Sequence, residues 1–143
     1  AGDSLSAADP GGAGTGGKEV KGAADWHRPD DPRMFQTNWK SFVGDCLSMM
    51  RECLEEALRD PAARRPALIE AADAGRAVLA RIRLEPSAEA QIALTSLRLL
   101  GCVEEEILSD AGVDRLTTDK NFSTLISLRL ESVLAARACL ENA

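Results

Sequence analysis

The stretch Met34–Leu58, MFQTNWKSFVGDCLSMMRECLEEAL, decides how the rest of this chain is read. Phe35, Trp39, Phe42, Val43, Cys46, Met49, Met50, Cys53, Leu54, Ala57 and Leu58 recur at helical spacing, so their side chains share one broad face of a 3.6-residue helix. Lys40, Asp45, Ser48, Arg51, Glu52, Glu55 and Glu56 take much of the opposite face, where water solvates them. Only 3% of the chain is aromatic, yet Trp26, Phe35, Trp39 and Phe42 all lie in this helix or just before it. Large rings bury the most area per residue, so this helix carries the heaviest side chains of the core. A groove lined by the rings is the functional alternative, and it makes Trp39 and Phe42 candidate partner-binding residues.

The 143 residues suffice for one domain, and 45% apolar with 28% charged residues is ordinary for a globular one. The 17 basic and 23 acidic side chains leave a net charge of -6. Phosphate recognition needs clustered Lys and Arg, so nucleic acid is not an expected partner. No apolar run approaches the roughly 20 residues of a membrane-spanning helix. The N-terminus lacks the basic-then-apolar layout of a secretory signal, which predicts a cytoplasmic or otherwise intracellular protein.

Residues 1–24 hold seven of the eleven glycines and almost nothing large and apolar. Such a segment cannot bury enough surface to offset its ordering entropy, and residues 1–32 are expected to form a disordered leader before one helical domain at 33–143. Gly11-Gly12 and Gly16-Gly17 lack the Gly-Lys-Ser/Thr ending and the preceding strand of a phosphate loop. Trp26 and His27, before Pro29 and Pro32, read as an anchor at the domain edge or as a docking motif.

Beyond Asp60-Pro61, Pro66 suits the first turn of a second helix running through Leu68, Ile69, Ala72, Gly75, Val78, Leu79 and Ile82. Gly75 either lets another helix approach or splits this one. Arg64, Arg65, Arg76, Arg81 and Arg83 fall outside the stripe, as an anionic-ligand patch or as a solvated face paired with glutamates. Pro86 and Ser87 separate a third helix, Ala88 to about Leu100, apolar around so much of its circumference that it is expected to be central. Gly101 ends it in the left-handed conformation. In Cys102–Asp119, two short strands around Asp110-Ala111-Gly112 satisfy the pattern; a loop or one helical turn does too. A last helix starts near Thr118 or Asp119 and carries Phe122, Leu125, Ile126, Leu130, Val133, Leu134, Ala138 and Leu140. The expected fold is therefore mainly α: a compact helical bundle of about four main helices, with a small β-hairpin near 107–116 as its one irregularity.

Catalytic constellations are missing from this pattern. Nucleophilic catalysis needs an activated Ser or Cys beside a base, and the single histidine, His27, is remote from Cys46, Cys53, Cys102 and Cys139. Cys46 and Cys53 stand roughly 10 Å apart along a helix, too far for a disulfide, and no Cys-x-x-Cys suggests zinc. Buried free thiols, no metal, no cofactor and no enzymatic activity are the expectations. Glu104, Glu105 and Glu106 make one local acidic run, read as solvated rather than as acid–base machinery.

From Asp60 to about Ala136 the order of elements resembles the PUB (PUG) domain, a helical module with a small sheet from the ubiquitin pathway. Asp60-Pro61 followed by Arg65 and Ile69 is similar to that family's signature, as is the helix end Leu97-Arg98-Leu99-Leu100-Gly101-Cys102-Val103-Glu104-Glu105. The family's pocket typically receives the C-terminal tail of the p97 ATPase. At its positions this chain has Pro66 for an aromatic, Glu70 for an Arg, Asp73 for an Asn and Arg76 for a Phe. The resemblance therefore implies a shared scaffold with that binding lost or redirected. Arg65, Ile69, Asp73 and Arg76 join Trp39 and Phe42 as candidate partner-binding residues.

Two functions follow as expectations. The first is a non-catalytic interaction domain docking a peptide tail or helix of another protein, PUB-like in a ubiquitin/p97-type pathway. The second is a self-associating structural bundle, a homo-oligomer joined through the face of Trp39, Met49 and Met50.

Overall fold

The computed structural model describes residues 38–142. The expectations for residues 1–32, and for Trp26, His27 and Phe35, lie outside them. The described chain is helical, with no strand among the described residues. Helix α1 is Trp39–Arg59, α2 Arg64–Arg83, α3 Ala88–Leu99, α4 Glu105–Leu108, α5 Asp110–Thr117 and α6 Phe122–Glu141.

Helix α1 starts where Asn38 offers its side-chain oxygen to the backbone N–H groups of Lys40 (2.9 Å) and Ser41 (3.4 Å), which have no carbonyl partner inside the helix. From Trp39 to Ala57 its inward face is the predicted one, widened by Leu47, which is fully buried, whereas Leu58 at the predicted end of that face is 36% exposed. At Asp60 the backbone turns extended, and the Asp60 carboxylate accepts from the N–H of Ala62 (3.0 Å) to start a short 3-10 turn, Pro61–Ala63, that leads into α2. Helix α2 buries Ala67, Ala71, Ala72, Ala74 and Ala77 among its larger apolar residues, and its contact with α1 is the most extensive among the described helices. Helix α6 covers another side of α1; a Cβ added at Gly44 would meet Leu140 of α6 at an ordinary 3.6 Å. The Arg64 guanidinium lies 3.9 Å over the Phe122 ring, joining the start of α2 to the start of α6.

Three expectations are corrected. The first is the hairpin at 107–116, which is two helices, α4 and α5, meeting at Ser109. The Ser109 hydroxyl accepts from the N–H of Gly112 at 3.0 Å, so Asp110-Ala111-Gly112 is the capped first turn of a helix rather than the turn of a hairpin. The second concerns α3, which is not central. It buries Ala90, Ala93, Leu94 and Leu97 against neighbours that include α2 and α6, and leaves Ile92 67% and Leu99 83% exposed. Periodicity shows which residues share a face; it cannot show that a neighbour covers that face. The third is Arg81, which is buried rather than solvated and pairs with Glu85 at 3.0 Å one turn along the chain.

Both glycine questions at helix positions are resolved. Gly101 has φ 77° and ends α3, as a left-handed cap requires. Gly75 does not split α2. It leaves room for Leu108 of α4, whose methyl group would stand only 2.7 Å from a Cβ at that position.

Candidate functional site

Arg65, Ile69, Asp73, Arg76, Ala80 and Arg83 follow one another along α2 in steps of three and four, so they form one stripe on its surface. The α4–α5 segment lies beside that stripe and is tied to it by polar contacts. Arg65 pairs with Asp114 of α5, and Arg76 donates both to the backbone carbonyl of Leu108 and to Asp73. Arg83 donates to Glu105 of α4 at 2.7 Å. This hydrogen bond and the Arg83 charge hold the Glu105 carboxyl below the ordinary carboxylate range. The arginines thus form an ion-paired face rather than a free cationic patch.

Between α2 and the α4–α5 segment runs an open groove of about 380 Å³, lined by Arg76, Leu79, Ala80, Arg83, Glu105, Leu108 and Ser109. Leu79 and Leu108, both almost wholly buried, make its apolar floor. Arg76 and Arg83, each nearly half exposed, stand at the charged rim. Such a lining can hold a partner by apolar contact and ion pairing.

The six candidate contact residues therefore separate into two groups. Arg65, Ile69, Asp73 and Arg76 share the surface stripe, where Ile69 is 40% exposed and Arg76 lines the groove. Trp39 and Phe42 are core residues at 7% and 1% exposure, and a partner would reach them only by opening the domain. The Met49 and Met50 face proposed for self-association is buried as well. Sequence reasoning missed Ala80, Arg83 and Glu105 as parts of one site. Arg83 was within reach, because it follows Arg76 by seven residues and so falls on the same face. Glu105 was not, because its place depends on how α4 turns back along α2.

The thiols are free. Burial pushes Cys46 well above the ordinary thiol value, Cys53 up to about 12 and Cys102 up to about 11. The Cys53 thiol donates to the Glu70 carboxylate (3.7 Å), whose charge raises its pKa further. Cys139 alone of the four is exposed. Among the described residues no group of three or more His, Cys, Asp or Glu side chains is placed to hold a metal ion, and no helix is long and apolar enough to cross a membrane. Neither the protein-family models nor the curated proteins nor the solved structures contain a match to this chain.

Proposed function

We propose that this chain is a non-catalytic interaction domain that docks a short segment of another protein in the groove between α2 and the α4–α5 segment. The observation that carries this reading is the groove itself, with its floor of Leu79 and Leu108 under the Arg76 and Arg83 rim. Exposed one-to-one ion pairs contribute little stability, so a partner's carboxylates can replace Asp73 and Glu105 at small cost. The fitting partner is a segment with one large aliphatic side chain flanked by Asp or Glu. An intracellular setting accords with the free thiols. The PUB-like resemblance extends the proposal to a ubiquitin/p97-type pathway, with Glu70, Asp73 and Arg76 redirecting the choice of peptide.

Panning a random peptide library on the full chain tests the groove. Selected peptides are expected to carry the aliphatic-plus-acidic pattern, and to lose at least about tenfold in affinity, or roughly 1.4 kcal/mol, on the Arg76→Glu/Arg83→Glu variant. Ala80→Trp, which fills the groove, should abolish their binding. Peptides that bind both variants as tightly as the parent would refute the docking site.

A second reading, self-association as a structural scaffold, is supported by Ile92 and Leu99. They lie seven residues apart on one face of α3 and are the most exposed large aliphatic residues described. Sedimentation over about two decades of concentration should show a growing dimer fraction that Ile92→Glu/Leu99→Glu removes. A single monomeric species throughout would end this reading.

A further inference from the structure

The inward line of α6 runs Phe122, Ile126, Arg129, Val133, Ala136, Leu140, and one member of it is charged. Arg129 is partly buried, and among the described residues it makes no hydrogen bond or ion pair. It lines an apolar chamber with Val133 of the same helix, and the other walls come from α1, α2, Cys102, α4 and α5, including Leu54, Leu68 and Val113. We propose that this chamber binds a short-chain aliphatic carboxylate, with the tail among those side chains and the carboxylate on the Arg129 guanidinium.

Three observations lead there. First, a guanidinium cannot discard its charge as a lysine can, so its placement beside apolar walls calls for an anion. Burial weakens its hold on the proton and the Glu104 carboxylate strengthens it, yet Glu104 does not bond to it directly. Second, the chamber holds about 30 Å³ of free space. That equals two or three water-sized groups, and walls so poor in polar atoms offer water few partners. Two or three carbons of an alkyl tail fit the same space. Third, the planar fork of Arg matches a carboxylate bidentately, whereas a phosphate would bring a second charge for which the lining supplies no second cation. The α4–α5 segment forms one wall of the chamber, and its ties to α2 include the exposed Arg65–Asp114 and Arg83–Glu105 pairs. The site shares Leu108 with the docking groove but does not depend on anything binding there.

Calorimetric titration of the full chain with acetate, propanoate, butanoate, hexanoate and octanoate tests the site, with butanol and butylamine as matched controls. Affinity should rise about fourfold per carbon from acetate to butanoate and level off by hexanoate, where the chamber is full. Butanol should bind at least about tenfold more weakly than butanoate, and butylamine weaker still. Arg129→Gln should remove the preference for butanoate over butanol. Glu104→Gln, an exposed position, should tighten butanoate binding by taking away the opposing carboxylate. The proposal is overturned by the absence of heat with every carboxylate up to about 10 mM. Equal binding of butanoate and butylamine, or butanoate affinity unchanged by both substitutions, would overturn it too.

Discussion

Raising the pH from 7 to about 10.5 is expected to lower the unfolding free energy of this domain by about 4–6 kcal/mol, with the fall beginning near pH 9. Cys46, Cys53 and Cys102 are buried, and burial disfavours their thiolate forms. Each thiol therefore binds its proton more tightly folded than unfolded. Below the ordinary value of 9.0 all three are protonated in both states and their contribution is fully present. Above it the unfolded chain releases protons that the native chain keeps, so each thiol withdraws about 1.4 kcal/mol per pH unit. That loss continues until the folded values are reached, about 11 for Cys102 and about 12 for Cys53. The chain has no tyrosine, and its lysines are only Lys18, Lys21, Lys40 and Lys120, so few other side chains titrate in this window. Urea unfolding under reducing conditions at pH 7, 9 and about 10.5 measures the effect. A triple Cys46→Ala/Cys53→Ala/Cys102→Ala variant starts lower but should have a much flatter profile. If parent and variant lose stability in parallel above pH 9, the buried thiols are not the cause.

What could be read from the sequence was local, and what could not depended on neighbours. The inward face of α1 was plain because rings, thiols and methionines repeat there at helical spacing. Gly101 was equally plain, since a glycine after an apolar helical run is the usual left-handed stop. The α4–α5 segment was misread because Asp-Ala-Gly suits a hairpin turn and the first turn of a helix equally well. Ser109 ahead of it, and Val113 and Leu116 three residues apart, were the signals for the helix. For Ile92 and Leu99 no local signal existed, because an apolar residue looks the same whether or not a helix packs over it. The groove was half legible: the α2 stripe is a matter of spacing, but its other wall comes from residues about thirty positions later. The charge of Arg129 on an apolar line was visible in the register of α6, although the chamber it faces was not.

Truncating Phe42 to alanine is expected to cost about 3–5 kcal/mol of folding stability, a large share of the 5–15 kcal/mol available to a domain of this size. Phe42 is 1% exposed and lies on the buried face of α1, a helix that both α2 and α6 pack against. The loss has two parts, the transfer energy of the missing ring and the cavity that three rigid helices cannot close. Phe42→Leu keeps much of the volume and should cost less than half as much. Ile69→Ala, on the surface stripe, removes a side chain already 40% in water and should change stability by no more than about 1 kcal/mol. Urea midpoints at unchanged m-value measure all three. This ordering separates two roles that the sequence left joined: Phe42 supports the fold, while Ile69 is available to a partner. A Phe42→Ala protein within about 1 kcal/mol of the parent would mean that the ring is not a core anchor, and would restore Phe42 as a contact residue.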